Sequence, residues 1–155
     1  MEMTELLQDG FYACLAAIGF GSINNPPRRL LIWCGMIASV GHATRYYLMH
    51  CEWQMNIIIA GFIAASVIGL LSDIAAHHKH CPSEIFSFPA LLPMIPGMYA
   101  YGTVQALVLY IYQHQNNGET GHYLDLFIYN GTMTLLIILM MVVGLSVPRI
   151  FRFTK

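Results

Sequence analysis

Three residues in a strongly apolar part of the sequence form a pattern that breaks a helix. Pro93, Pro96 and Gly97 lie within the segment PALLPMIPGMYAYG, residues 89–102. Each proline removes a backbone donor, at about 3 kcal/mol in a helix interior, and glycine tolerates unusual backbone angles. Lipid cannot hydrogen-bond the freed groups, so such a break persists at membrane depth where protein buries it or water reaches it. Free N–H groups and the positive end of the next helix favour a carboxylate, so the pattern predicts a ligand site; a kink that serves packing is the alternative.

Two rows of polar side chains in the later apolar runs are candidates to orient such a ligand. Tyr101 and Gln105 follow Gly97 at four-residue intervals and therefore share its helix face. Asn130 and Thr134 form a second row in the last run. The rows are predicted to line a small hydrophilic cavity, and hydrogen bonding between packed helices is the alternative.

Two ionisable residues lie inside an earlier apolar run. His42 shares a helix face with Gly35 and Ser39, which predicts that it points into the bundle, and Arg45 lies at the edge of that face. Ionisable residues within a membrane are functional candidates by default, so both are predicted to contribute charge or proton coupling. The alternatives are a hydrogen-bonded packing histidine and an arginine that reaches the headgroups.

The composition places these residues in an integral membrane protein. Hydrophobic residues make up 57% of the 155 positions and charged residues 10%, and the mean hydropathy is +0.58. Soluble domains carry about 25% charged residues, so this chain cannot cover a water-facing surface. A net charge of −1 argues against nucleic-acid binding as the main role. The acidic start differs from a secretory signal, so the first apolar run is predicted to stay as a helix.

We predict an all-α fold with five transmembrane helices in a single domain, residues 1–155. The spans are 5–23, 29–49, 55–76, 88–113 and 123–147. The fourth is predicted to contain a short leading segment, an unwound stretch at Pro93–Gly97 and a second helix from Met98. Small residues at four-residue spacing in the first three spans predict close helix packing. These are Ala13, Ala17, Gly21, Gly35, Ser39, Ala43, Gly61, Ala65 and Gly69.

Basic residues predict the direction of the chain in the membrane. With five spans, six of the seven lysines and arginines fall on one side: Arg28, Arg29, Lys79, Arg149, Arg152 and Lys155. The opposite side holds acidic and neutral residues, including Glu2, Glu5, Glu52 and Glu119. The positive-inside rule then predicts an external N-terminus and a cytoplasmic C-terminus in a bacterial inner membrane.

Other polar segments give no sign of enzyme chemistry. The HHKHC cluster at His77–Cys81 lacks the partner spacing of a zinc site, so we predict a solvated loop and no metal. The sequence contains no nucleophile elbow, Walker loop or dinucleotide-binding pattern, and neither an enzyme activity nor a cofactor is predicted. Asp73 is placed near the cytoplasmic end of the third span; simple solvation is one explanation of it there, and its role is left open.

The segment of residues 89–102, with NNPPRRLLIWCGMIASVGHATRYYL upstream, resembles the threonine/serine exporter family in its short, single-half form. The resemblance covers nearly the whole chain. It rests on the pattern P-x-x-P-G-x-x-x-Y ending at Tyr101, on the G-H-x-x-R segment at residues 41–45, and on Asn130. It implies a transporter of about ten spans, as one chain or as two subunits of which the larger carries an added soluble domain. The implied substrates are small amino acids such as threonine and serine. Asp73 departs from the family, in which a basic residue is often found.

The odd span count adds a physical expectation. Two homologous five-span halves joined directly in sequence must lie in opposite orientations, which is the inverted-repeat arrangement with substrate near the midplane. The chain is therefore predicted to be the small subunit of a two-component exporter of small carboxylate-bearing metabolites. Its partner is a larger homologous subunit or a second copy. The alternatives are a dicarboxylate (succinate) export subunit and a non-transporting membrane scaffold, and the sequence leaves the substrate and coupling ion open.

Overall fold

The computed structural model describes residues 3–23, 25–51, 54–115 and 120–153, and this part of the chain is helical, as predicted. The helices are α1 (Met3–Ser22), α2 (Arg28–His50), α3 (Ile57–Lys79), α4 (Glu84–Leu91), α5 (Gly97–Gln115) and α6 (Gly121–Phe153), with a 3-10 turn at Leu92–Met94. The chain divides into two compact units, one of Met1–Ile95 with Met140–Lys155 and one of Pro96–Leu139.

Length and composition support fewer membrane crossings than the five predicted. In the described residues, α3 and the Gly121–Ile150 part of α6 are long and apolar enough to cross a membrane. The segments Glu84–Met94 and Gly97–His114 give a third crossing if they form one broken span. Helices α1 and α2 coincide with the first two predicted spans within a few residues, but polar side chains such as Asp9 and Arg45 lower their hydropathy. The count of five therefore stays a prediction.

Small residues bring α1 and α2 together as an antiparallel pair. A Cβ added at Gly35 would lie 2.6 Å from Cys14 Sγ, and one added at Gly10 would lie 2.8 Å from Ser39 Oγ. Real Cβ atoms do not approach other atoms so closely, so a larger residue at either position would require the facing side chain or helix to move. Close packing through the small residues of the first two spans is confirmed.

The small residues of the third predicted span, which lie in α3, pack against the C-terminal part of α6. A Cβ at Gly69 would lie 2.7 Å from the Leu145 carbonyl oxygen, which is backbone and cannot rotate away. From the other side, Gly144 directly faces the Phe62 carbonyl. The two backbones are therefore in contact, as expected where small residues drive helix association in lipid.

Helix α4 contains a proline whose missing hydrogen bond is replaced by a side chain. Pro89 cannot donate to the Ile85 carbonyl, four residues earlier. The Cys34 thiol, which is fully buried, donates to that carbonyl at 3.2 Å. Helix α2 thus satisfies an acceptor that α4 leaves open.

Asp73 forms an ion pair, and the histidine cluster begins within α3 rather than in the predicted loop, although its histidines are exposed as expected. Asp73 is buried, at 9% exposure, and its carboxylate lies 3.7 Å from Nε of Arg149. Arg149 also contacts Glu84 at 2.9 Å and donates to the Ser83 hydroxyl at 2.6 Å, so it ties α3 and α4 to the end of α6. Residues 77–79 form the last turn of α3, where Lys79 Nζ lies 5.1 Å from the Trp33 ring centroid of α2.

Gly69→Ala should lower stability, whereas Gly19→Ala should not. The added methyl at residue 69 meets a backbone carbonyl, and overpacking of this kind costs about 1–3 kcal/mol. Gly19 has no atom within 4 Å of an added Cβ, so alanine there should be neutral or improve helix propensity by up to about 1 kcal/mol. Thermal unfolding of both variants in the same detergent measures the difference. Equal midpoints would contradict the close α3–α6 contact.

Candidate functional site

The fourth apolar segment is broken, and the break is shorter than predicted. Pro93 lies within the 3-10 turn, which ends at Met94, and α5 already begins at Gly97 rather than at Met98. Ile95 has the extended backbone angles φ −57° and ψ 132°, so the helical path is lost at Ile95–Pro96. A proline at the last position before a helix is well placed, because its missing N–H has no partner there in any case.

Arg45 lies at the carboxyl end of the first half of this segment. Its guanidinium donates from Nη1 to the Met94 carbonyl at 3.1 Å, and the Met94 side chain is fully buried. The break leaves this carbonyl without a helical donor, and the C-terminal end of a helix carries partial negative charge. The cation therefore satisfies an orphan acceptor, and the side chain points towards the break.

His42, one turn earlier on α2, is paired with an acid that the sequence analysis overlooked. Its Nδ1 lies 3.1 Å from Oδ2 of Asp9 on α1. His42 is only 5% exposed, and its Nε2 has no hydrogen-bond partner among the described residues. The Pro93 carbonyl also faces the ring. Asp9, His42 and Arg45 thus lie beside the Pro93–Met94 turn within the first unit.

The signal for Asp9 was present in the sequence. It lies four positions inside the predicted span 5–23, where an ionisable residue is a functional candidate. It was read instead as part of an acidic N-terminus. A second hydrogen bond joins α1 and α2 one turn away from the Asp9–His42 pair: the Tyr46 hydroxyl donates to Glu5 Oε2 at 2.7 Å.

The polar rows of the second unit occupy different helix faces. Gly97, Tyr101 and Gln105 share an exposed face of α5, and an added Cβ at Gly97 would meet no atom within 4 Å. Asn130 instead packs against Gly102, with Nδ2 3.1 Å from the position of a Cβ there. It therefore joins α6 to α5 on a neighbouring face, and ligand contact by these residues stays a prediction.

The histidines at the end of α3 do not assemble a metal site in the described residues. His77, His78 and His80 are exposed, and no group of three His, Cys, Asp or Glu side chains in the described ranges could hold a metal ion.

The apolar helices, one of them broken beside the part-buried Arg45, are typical of a membrane protein. Comparison with known proteins then gives the family. Residues 9–151 match the family described as Threonine/Serine exporter, ThrE, and the chain belongs to this family. The resemblance drawn from the sequence is confirmed.

A curated relative extends well beyond the matched region. An uncharacterized protein of Haemophilus influenzae is 37% identical over 106 residues, which are 68% of this chain and 35% of that protein. The chain therefore matches about a third of the length of this relative. No solved structure matches the chain.

Replacing Arg45 by methionine should loosen the end of the 3-10 turn. Without the guanidinium, the Met94 carbonyl loses its donor, at about 1–3 kcal/mol, and local opening should increase roughly 5- to 150-fold. Hydrogen exchange of the Ile95 amide, which donates to the Leu92 carbonyl, reports this opening.

Two variants control the measurement. Arg45→Lys keeps a cationic donor and should stay closer to the parent chain, and Arg28→Met removes an exposed guanidinium from the start of the same helix. Unchanged exchange in Arg45→Met would show that the contact with Met94 does not stabilise the break.

Proposed function

We propose that this chain is the membrane subunit of an exporter of small carboxylate-bearing metabolites of the threonine/serine type. Family membership supports transport rather than catalysis. The observation that carries the proposal is the interrupted apolar segment, whose open Met94 carbonyl accepts from the cationic Arg45. A membrane protein retains broken backbone and buried charge where a substrate or ion must be handled.

The start of α5 is the proposed seat of the substrate carboxylate. The first N–H groups of a helix lack intrahelical partners and carry the positive end of its dipole. Gly97 leaves the approach open because no side chain covers it. Tyr101 and Gln105 continue the same exposed face and are proposed to hydrogen-bond the rest of the molecule. Asn130, held against Gly102, is proposed to orient the substrate by fixing α5.

Pro93 and Pro96 are proposed to keep the seat open by preventing a continuous helix. In the first unit, His42 and Arg45 are proposed to supply charge or proton coupling. His42 is buried and paired with the ionisable Asp9, and ionisable residues inside a membrane bundle are functional candidates by default.

The complete exporter is proposed to need a second half. The matched relative is longer than this chain, since the shared region is 35% of it. A larger homologous subunit in the opposite orientation completes the inverted-repeat arrangement, and self-association of the chain is the other proposed assembly. Helix α6 would bury more of its apolar surface in such a complex, because only 11% of its most apolar 18-residue stretch is buried within the chain.

The proposed location is a bacterial inner membrane, with the N-terminus outside and the C-terminus in the cytoplasm. Contacts in the first unit support this direction, since Lys79 lies over Trp33 near the start of α2 and Arg149 contacts Glu84 at the start of α4. These basic residues thus lie at one end of the unit, and the Glu5–Tyr46 pair lies at the other.

Gly97→Leu should abolish most export without reducing the amount of chain in the membrane. A leucine there blocks the approach to the α5 amides, and a lost charge-assisted hydrogen bond weakens binding about 10- to 150-fold. The measurement is efflux of threonine, serine and succinate, per assembled complex, from vesicles that contain the chain and its partner.

Gly19→Leu is the matched control because an added Cβ meets no atom within 4 Å at either glycine, so both leucines start from open positions. Normal efflux per complex in Gly97→Leu would contradict the proposal that the start of α5 binds the substrate carboxylate. Efflux of succinate without threonine or serine would support the dicarboxylate alternative.

A reporter fused after Lys155 tests the orientation separately. Because the basic residues are proposed to face the cytoplasm, a fluorescent protein there should fold and an alkaline phosphatase should stay inactive. An active phosphatase would show that the C-terminus lies outside. It would contradict the proposed orientation and the inverted-repeat arrangement that depends on it.

A further inference from the structure

The buried imidazole of His42 has one ring nitrogen satisfied and the other free. Nδ1 contacts the Asp9 carboxylate at 3.1 Å, whereas Nε2 is shielded from solvent and lacks a hydrogen-bond partner among the described residues. Buried polar atoms nearly always have a partner, and an unsatisfied one calls for an explanation such as an absent ligand or water. The side chain that carries this atom is more than nine-tenths buried, so its partner is a bound ligand or a bound water and not bulk solvent.

Asp9 determines which nitrogen carries the proton in the neutral ring. An ionised carboxylate is an acceptor only, so the contact requires a proton on Nδ1. In the neutral imidazole the proton on one nitrogen leaves the other as an acceptor. Nε2 therefore presents a lone pair.

The groups that face this ring are mostly acceptors. Asp9 comes from α1 and the Pro93 carbonyl from the turn that follows α4, while α3 packs Ile68 against Gly41 beside the ring. The nearby cation, Arg45 on the same helix, already donates to the Met94 carbonyl. The position thus offers acceptors to whatever reaches it and favours a partner that donates.

We propose that Asp9 is a positioning residue that fixes His42 in the Nδ1–H form, so that Nε2 accepts a hydrogen bond from an ammonium or hydroxyl group of the transported molecule. The proposal rests on the proposed export function. It adds Asp9 to the functional residues, and it separates hydroxy amino acids, which carry such donors, from a fully ionised dicarboxylate, which has none.

Nitrogen-15 NMR of histidine-labelled chain, assembled with its partner in lipid, tests the positioning role. The His42 resonances, assigned by their absence in His42→Gln, should show a protonated Nδ1 and an unprotonated Nε2. Asp9→Leu should shift the ring towards the opposite tautomer, and Asp9→Asn, which keeps an acceptor oxygen, should restore the original one. Glu5→Leu is the matched control, because it removes the neighbouring carboxylate of the same helix pair, which contacts Tyr46. A protonated Nε2 in the parent chain, or an Asp9→Leu spectrum identical to that of Glu5→Leu, would overturn the proposal.

The ligand is tested with L-serine and with succinate as probes. Serine should shift the His42 Nε2 resonance and succinate should not, and Asp9→Leu should weaken the serine response about 10- to 150-fold. An unshifted Nε2 at saturating serine would mean that water alone occupies the position and would overturn the ligand assignment. A failure of this inference can be distinguished from a failure of the proposed export function. Serine export with an unresponsive Nε2 contradicts this inference alone, and a responsive Nε2 without export contradicts the exporter proposal alone.

Discussion

An interrupted helix in an apolar chain leaves backbone groups that lipid cannot satisfy, and the neighbouring helix α2 supplies their partners. Cys34 donates to the Ile85 carbonyl that Pro89 leaves open, and Arg45 donates to the Met94 carbonyl at the end of the turn. Helix α2 is in turn joined to α1 through the Asp9–His42 pair. The broken segment therefore depends on polar side chains held in register by two helices that contain no proline.

This dependence explains why α2 is less apolar than a typical membrane-spanning helix. Arg45 and His42 lower its hydropathy, yet both are turned towards other parts of the first unit, where carbonyl and carboxylate oxygens receive them. Polar residues within membrane helices usually face the bundle interior and mark the path of a substrate or ion. Arg45 and His42 thus make α2 more polar than a simple membrane span. They also lie beside the break on which the exporter proposal rests.

The positions of the helices were predictable from the sequence, whereas most of their polar contacts were not. Apolar runs and proline–glycine punctuation predict most helix ends within about three residues, although α4 begins four residues before its predicted span and α6 ends six residues beyond its own. Pro93–Gly97 marks the break. The pairing of Arg149 with Asp73 depends on the rotation and register of α3 and α6, which spacing along the chain does not determine. The same holds for Asn130, which packs on Gly102 rather than extending the Tyr101 face. Asp9 was detectable as an acid inside a span, but its partner became known only from the folded helix pair.

The central claim, that the start of α5 binds the substrate, is tested most directly by protection of residue 98 from chemical modification. In membranes that contain the assembled exporter, Met98→Cys, next to Gly97 at an exposed position, is alkylated with and without L-threonine, and modification is read by mass spectrometry of the peptide that carries residue 98. Gly19→Cys, at an open glycine of α1, reports any general effect of threonine on reactivity. The account predicts saturable slowing of alkylation at residue 98 and none at residue 19. Equal alkylation rates with and without threonine at residue 98, in a complex that still exports, would contradict it.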